Sequence, residues 1–180
     1  MQHGSLWDAG TVAPPLQDRL DGIALDLPQF RPRRDRMRIS RMVLEVRIMK
    51  IVIVLDRELP VGLLANAAAV LAFSAARHLP GGVGHDLRDA DDGLHPGITN
   101  LPIPMLACEG GSLGELRQQA QAQGVGCIDF SRTAQRAKRY DEYEAALRQA
   151  KASDLAYLGL CLFGEAAAVK RLTGHLPLVK

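Results

Sequence analysis

The stretch MKIVIVLDRELPVGLLANAAAVLAF, residues 49–73, joins two patterns that decide the fold. Its first eight residues are mostly apolar and rich in β-branched side chains, which predicts a strand buried on both faces of a sheet. Pro60 and Gly62 then open a helix rich in alanine and leucine, and we expect it to run to about Leu79. A buried strand followed at once by an apolar helix is typical of α/β domains.

The same alternation of strands and helices continues through the rest of the chain. Apolar runs predict further strands at residues 101–108, 125–130 and 155–164, and the prolines in the first of these runs indicate an edge strand. Because strands separated by helices usually run in the same direction, the pattern predicts a layered α/β domain with a largely parallel sheet.

Two of the downstream helices carry recognisable end signals. Ser112 and Glu115 have the spacing of a capping box, in which each side chain accepts a hydrogen bond from a free backbone N–H at the start of the helix. Asp141 is the predicted N-cap of the following helix, and Glu144 repeats the box. Glu144 is also spaced to pair with Arg148 one turn later.

Residues 1–48 differ from the remainder in both pattern and charge. They contain 8 Lys or Arg against 6 Asp or Glu, whereas residues 49–180 contain 14 of each. We interpret residues 1–48 as a disordered leader or the product of a misassigned start, with a basic arm for nucleic acid or membrane as the alternative. Residues 49–180 form one domain in this interpretation. No secretory signal or membrane span is evident, so we expect a cytoplasmic protein.

A ligand site is predicted at one end of the sheet. In parallel α/β sheets, ligands bind in the crevice beyond the carboxyl ends of the strands. The turn after the first strand supplies Gly62 and Asn66, and the turn near residue 130 supplies Asp129 and Thr133. We therefore predict these four as ligand-binding residues. Asn66 and Asp129 also suit a purely structural role, because both residue types commonly satisfy free backbone groups in turns.

Other polar and sulfur-containing side chains form no definite site. Cys108, Cys127 and Cys161 are widely spaced and lack a CxxC pair, so we expect small core residues in a reducing compartment. The loop of residues 85–95 mixes histidine with aspartate, but its spacing matches no known metal motif. We predict a solvated loop, with no metal and no cofactor.

Four segments in a fixed order resemble a known bacterial family, the domain-of-unknown-function 2000 family of the type II peptidyl-tRNA hydrolase-like superfamily. These segments are LPVGLLANAAAVLA, GITNLPIPML, YDEYEAALRQA and LTGHLPLVK. The resemblance covers residues 49–180. It implies a three-layer α/β/α sandwich around a small mixed sheet.

The resemblance also allows a residue-by-residue comparison with the working hydrolases, which cleave the ester between a peptide and tRNA. Those enzymes carry a lysine, a glutamine and a histidine around the start of the first helix. The matching positions here are Leu63, Ala67 and Val70. A later acidic motif is better preserved, with matches at Asp129, Arg132 and Thr133. The resemblance thus implies a hydrolase-like scaffold without the full hydrolase site.

Three functions stay open at this stage. The first is a non-catalytic or differently catalytic relative that binds a small or peptide-like ligand at the strand-end crevice. The second is a hydrolase of peptidyl-tRNA or a related acyl ester that uses Asp129 and Arg132, with Thr133 as a further candidate; the even charge balance disfavours tRNA binding without excluding it. The third is an assembly or interaction protein, for which a homo-oligomer is one form.

Overall fold

The computed structural model of the chain describes residues 49–180, which form a four-stranded sheet, a short hairpin and five α-helices. The predicted leader, residues 1–48, lies outside the described residues. The strands are β1 Met49–Asp56, β2 Leu87–Arg88, β3 Leu94–His95, β4 Met105–Cys108, β5 Gly126–Ser131 and β6 Tyr157–Glu165. The helices are α1 Val61–Ala76, α2 Leu113–Ala122, α3 Arg132–Arg136, α4 Tyr140–Gln149 and α5 Ala166–Thr173, with 3-10 turns at Gly110–Ser112 and Ala152–Asp154.

The strand order β4-β1-β6-β5 corrects one part of the predicted fold. β1 is parallel to β4 and antiparallel to β6, and β5 is antiparallel to β6. β1, β4 and β5 therefore share one direction, but β6 runs the other way and lies between β1 and β5. The mixture of helices and strands confirms the α/β class. Because only one neighbouring pair of strands is parallel, the expectation of a largely parallel sheet is wrong.

The reason lies in the connection between β5 and β6. A parallel neighbour requires the chain to cross back over a face of the sheet, usually as a helix that packs there. α3 and α4 occupy this connection, yet neither has a buried residue. The chain makes no packed crossover at this point and re-enters the sheet in the opposite direction.

Helices cover both faces of the sheet, as the three-layer prediction requires. On one face, α1 packs its alanines and Leu71 against alternate residues of β1 and β6. On the other face, α2 and α5 pack leucines and a valine against the intervening residues of the same strands. The strands buried between these layers have the continuous apolar sequences from which they were predicted.

Gly159 of β6 lets α1 lie close to the sheet. A Cβ atom built at Gly159 would stand 2.8 Å from Cδ2 of Leu55 and 3.1 Å from Cδ1 of Leu71. These distances are shorter than an ordinary carbon–carbon contact. Any side chain at Gly159 would therefore push α1 away from β1 and β6.

The two edges of the sheet are treated differently. β4 is an edge strand, as its prolines predicted, and a segment near the end of the chain pairs with it. The Ala107 N–H donates to the Pro177 carbonyl at 2.8 Å, and the Val179 N–H donates to the Met105 carbonyl at 3.0 Å. At the opposite edge, β5 pairs with β6 alone among the strands of residues 49–180.

The predicted helix caps are only partly correct. Ser112 adopts a helical conformation in the turn before α2, so its side chain makes no capping hydrogen bond. α4 begins after Arg139, which places Asp141 inside the helix rather than at its N-cap. The predicted Glu144–Arg148 pair is confirmed, with 2.6 Å between Oε1 and Nη2.

The side chains of Ser131 and Glu165 cap α3 and α5. The Ser131 hydroxyl accepts from the Ala134 N–H at 3.2 Å. The Glu165 carboxylate accepts from the N–H groups of Ala167 and Ala168 at 2.8 and 2.9 Å. Within residues 49–180, no helix is long and apolar enough to cross a membrane.

Candidate functional site

A crevice of about 550 Å³ opens beyond the carboxyl ends of β1 and β4, at the beginning of β6. This is the position at which the α/β pattern predicted a ligand site. Most of its lining is polar or glycine, and the side chains come from the turn after β1, the start of α2 and the entry to β6. The main lining residues are Asp56, Glu58, Gly110, Gly111, Gly114, Glu115, Arg117, Gln118, Arg132, Ser153 and Tyr157.

The turn after β1 holds the Asp56 carboxylate at the mouth of this crevice. One carboxylate oxygen accepts from the Glu58 N–H at 3.0 Å. A Cβ atom at Gly110 would lie 2.5 Å from the other oxygen, which is too close for any side chain. Glycine at position 110 is therefore what allows the turn before α2 to approach Asp56.

An ion pair joins α2 to β5 beside the crevice, which Arg117 lines and Asp129 does not. Arg117 Nε donates to Asp129 Oδ2 at 2.7 Å, and the two side chains are 29% and 22% exposed. The Arg117 guanidinium also lies 5.6 Å from the centre of the Tyr157 ring, within the range of a cation–π contact. The hydrogen bond to Asp129 raises the pKa of Arg117 above its already high usual value.

The groups around this ion pair are held in their neutral forms. Burial, and next the Asp129 charge, raises the pKa of the Cys127 thiol to about 11. Burial, followed by Asp129, also raises the pKa of Tyr143, and burial raises that of Tyr157. A thiol with such a pKa is protonated at neutral pH and is a poor nucleophile. Cys127, Tyr143 and Tyr157 are therefore uncharged neighbours of the ion pair at neutral pH.

Arg117 was not among the predicted site residues, although its spacing along α2 carries a signal. Arg117 lies four residues after Leu113 and three before Ala120, both of which are fully buried on α2. An arginine at this spacing belongs to the apolar stripe of an amphipathic helix, where a charge needs a partner. Finding that partner on β5 required the fold, because Asp129 is brought to α2 only by the packing of helix against sheet.

Two further clefts flank β5. A groove of about 600 Å³ follows its outer edge between the end of α1 and the start of α4. A smaller cleft of about 430 Å³ lies between α3 and α4. The groove is lined chiefly by Val70, Ser74, Arg77, His78, Cys127, Ile128, Asp129, Phe130, Lys138, Arg139, Tyr140 and Tyr143.

The predicted ligand residues do not meet in one cleft. Asp129 lines the groove beside β5, and Thr133 lines the smaller cleft. Arg132 borders both the smaller cleft and the crevice. Gly62 and Asn66 are exposed on α1 and line none of the three clefts. The separation follows from the layers, because α1 and α2 cover opposite faces of the sheet.

The positions that carry the hydrolases' polar groups are apolar in space as well as in sequence. Ala67 is fully buried against the sheet, and Leu63 is partly buried there. Val70 contributes to the groove beside β5. None of the three presents a polar atom to the crevice.

Residues of the loop at 85–95 organise a hairpin. Asp89 Oδ2 lies 2.9 Å from His95 Nε2, and Asp89 Oδ1 accepts from the N–H groups of Asp91 and Gly93. The bond to His95, followed by these backbone bonds, lowers the pKa of Asp89. No cluster of three or more potential metal ligands occurs in the part of the chain from 49 to 180.

Comparison with known proteins identifies the family. The model of a family described as proteins of unknown function, DUF2000, matches residues 49–180. The chain belongs to the DUF2000 family. This match begins at Met49, the first residue of β1, so the DUF2000 region coincides with the described domain.

One solved structure extends the comparison to the fold. A protein of unknown function from Agrobacterium tumefaciens strain C58 is similar to this DUF2000 domain with a TM-score of 0.67 and 16% sequence identity. The likeness covers 73% of this chain and 97% of the other. No curated protein sequence matches the chain. The shared fold is therefore firm, and the function has to be argued from the site.

Proposed function

We propose that this DUF2000 domain binds a small polar ligand in the strand-end crevice and is not a peptidyl-tRNA hydrolase. The observation that carries the proposal is the Arg117–Asp129 ion pair. A general base must be free to accept a proton from water. Asp129, the one acid that the resemblance offers for that role, is instead committed to Arg117 at 2.7 Å.

The charges in the crevice favour a ligand that donates hydrogen bonds. Three carboxylates line it, namely Asp56, Glu58 and Glu115, against the two arginines Arg117 and Arg132. The charge of Arg117 is already matched by Asp129. The remaining excess of carboxylates suits an amine or a compound with several hydroxyl groups. Glycines at the start of α2 let such a ligand approach the backbone closely.

The resemblance to the type II peptidyl-tRNA hydrolases enters this proposal as a shared scaffold. The α/β/α layers are compatible with it, and apolar residues occupy the lysine, glutamine and histidine positions. Loss of a single group that stabilises the oxyanion typically costs about 10²–10³ in rate. The equal number of acidic and basic residues in the domain also disfavours a tRNA substrate. We further infer a cytoplasmic setting, in which small metabolites are the available ligands.

A binding screen on the purified full chain tests the proposal. The probes are a diamine, a polyol and a nucleoside, each scored by thermal stabilisation and then by calorimetry. We expect one of the hydrogen-bond-donating classes to bind, and Glu115→Gln to weaken its affinity at least ~10-fold, because a charge-assisted hydrogen bond is lost. Glu144→Gln removes the same charge from an exposed helix outside the crevice and should leave the affinity unchanged.

A second variant separates geometry from charge. Gly110→Ala displaces the Asp56 carboxylate without altering any charge, so it should also weaken the ligand. A ligand whose affinity is unchanged by both Glu115→Gln and Gly110→Ala would bind outside the crevice. Hydrolysis of N-blocked aminoacyl-tRNA by the wild-type chain, abolished in Asp129→Ala, would contradict the proposal and establish the hydrolase instead.

A further inference from the structure

The outward side of α1 is unusually apolar for a surface helix. None of its sixteen residues is charged, and its inner side is already buried against the sheet. On the outer side, Val61 is 83% exposed and Phe73 is 86% exposed, with Val70 partly exposed between them. A helix that is apolar all round is normally buried on every side. The outer side of α1 therefore has the character of an interface.

A second apolar surface belongs to the arm, residues 83–99, which contains β2 and β3. Each of these strands is two residues long, and no residue of either is buried. Ile98 is 80% exposed, and Val83, Leu87 and Leu94 are each more than half exposed. An isolated two-stranded hairpin is at best marginally stable in water. The arm needs a surface on which to pack its apolar side chains.

We propose that α1 and the arm together form the interface of a symmetric homodimer. In this dimer α1 lies antiparallel to α1 of a second copy, and each arm packs against the other copy's α1. The arm follows the carboxyl end of α1, and the antiparallel arrangement brings that end next to the beginning of the opposite helix. Val61, at that beginning, is then covered. The arm does not cover α1 of its own subunit, because both surfaces are exposed there.

The exposed apolar area matches what a stable dimer needs. Taking roughly 100 Å² for a fully exposed aliphatic side chain and about 170 Å² for phenylalanine, the two surfaces offer on the order of 500 Å² per subunit. A standard interface buries about 800 Å² per partner, of which somewhat more than half is apolar. The contributing side chains are Val61, Val70, Phe73, Val83, Leu87, Leu94 and Ile98.

The absence of charge favours a second copy as the occupant. At the helix-to-helix contact, a partner for an uncharged face must itself be uncharged, since an unpaired charge buried there would be costly. The charged residues of the arm, Asp86, Arg88, Asp89, Asp91 and Asp92, are exposed and must remain outside the contact. α1 meets that requirement for another α1. Two-fold interfaces bring the same patch of both subunits together, so a single self-complementary helix is sufficient.

The spacing of the outer residues gives the register of the helix pair. Gly62, Asn66, Ala69 and Phe73 follow one another at intervals of four, three and four. Antiparallel pairing about the midpoint of this series sets Phe73 of one copy over Gly62 of the other. A Cβ atom at Gly62 would meet nothing within 4 Å in its own subunit, so the space is open.

Asn66 lies near the two-fold axis in this arrangement. Its amide both donates and accepts hydrogen bonds, so two copies can pair with each other across the axis. One polar residue in an otherwise apolar helix contact is a known way to fix register. The dimer thus assigns Gly62 and Asn66, which the sequence placed in a ligand site, to the subunit interface.

Light scattering after size exclusion, on the full chain from ~0.1 to ~100 μM, tests the dimer. We expect the mass of two chains, and a dissociation constant raised at least ~100-fold by Phe73→Glu, as for a central interface aromatic. Leu178→Glu is the control, because Leu178 is also an exposed apolar side chain, at 63%, and lies outside both surfaces and outside the groove that Val70 lines. Circular dichroism checks that both variants fold. The proposal is overturned if the wild-type chain is monomeric throughout this concentration range, or if Phe73→Glu leaves the dissociation constant of the dimer unchanged.

A cross-linking experiment tests the register separately. Asn66→Cys places two thiols close to the axis, within reach of a short bis-maleimide, and should give a covalent dimer in high yield. Arg148→Cys, on the exposed surface of α4, should not, and the wild-type chain controls for the native cysteines. A dimer that fails to cross-link through position 66 overturns the α1-to-α1 arrangement.

Discussion

The two helical layers of this domain bury the same sheet with different chemistry. α1 covers one face with alanines and one large fully buried side chain, Leu71, and carries no charge. α2 and α5 cover the other face with several branched side chains inside and charged residues outside. The charged layer contains the ion pair and borders the crevice, whereas the uncharged layer presents an apolar outer surface. The two proposals therefore concern different parts of the domain, with ligand binding beside the charged layer and association on the uncharged one.

The largest expected effect is the loss of stability when a buried leucine is truncated in either helical layer. Leu71→Ala should lower the free energy of unfolding by about 3–5 kcal/mol, because Leu71 packs directly over Gly159 and the alanines around it cannot fill the cavity. Leu116→Ala in α2 should cost about 2–3 kcal/mol, because Leu116 keeps some exposure and Leu113 remains beside it. Urea denaturation at one fixed protein concentration measures both. A larger loss for Leu116→Ala would reverse the comparison.

The next effect concerns the ion pair of the charged layer. Asp129→Asn leaves the partly buried Arg117 without its carboxylate and should cost about 1–2 kcal/mol, reduced from the fully buried case because both side chains keep some contact with water. Asp141→Asn removes the partner of Arg139 from an exposed pair on α4 and should leave the unfolding midpoint unchanged within error. Equal losses of stability in the two variants would mean that the Arg117–Asp129 pair contributes no more than the exposed pair of Arg139 and Asp141.

The same variant should also change the chemistry of a neighbouring thiol. The Asp129 charge is the second cause, after burial, of the raised pKa of Cys127. Removing it lowers that pKa below about 11, so alkylation of Cys127 at pH 9 should become faster, as followed by mass spectrometry of the labelled peptide. Cys108, whose pKa is raised to about 11 by burial and then by Asp56, with no contribution from Asp129, serves as the internal control. An unchanged labelling rate would show that burial alone sets the reactivity of Cys127.

The smallest expected effect concerns the capping of helix N-termini, which differs between α1 and α5. α1 starts at Pro60 without a side-chain cap, whereas α5 starts with Glu165, whose bonds from Ala167 and then Ala168 lower its pKa. A carboxylate with a lowered pKa stabilises the fold above its ordinary value of 4.5, and this contribution is lost as the pH falls through the lowered value. Glu165→Gln should therefore reduce the melting temperature slightly at pH 7 and not at pH 2. A difference that persists at pH 2 would exclude an electrostatic origin.

The sequence predicted those features of the fold that depend on local pattern. β1 was predicted at Met49–Asp56 and is found there, because a continuous β-branched run bounded by charged residues has few alternatives. The direction of β6 could not be predicted, since strands and helices alternate in the sequence whether or not a helix crosses the sheet. α4 looks like a crossover helix in sequence, but neither it nor α3 has a buried residue.

The candidate site, like the fold, was predictable only in part. A crevice does lie beyond the carboxyl ends of the strands, as the α/β pattern predicted, and the candidate Arg132 borders it, but none of the four predicted ligand residues lines it. The partner of Asp129 was not predictable, because Arg117 belongs to a different element and reaches β5 only through packing. Whether Gly62 and Asn66 bind a ligand stays a prediction.

The place of β6 in the sheet has a consequence for the order in which the domain folds. β6 is the last strand along the chain but lies inside the sheet, where Cys161 pairs with Ile53 of β1 and with Ile128 of β5. During synthesis, β5 has no neighbour to join until β6 has left the ribosome. Pairing between such distant segments requires a large loop to close first, so it is slow. We therefore expect the sheet to close late, with β5 unpaired until β6 is available, whereas β1 can already pair with β4.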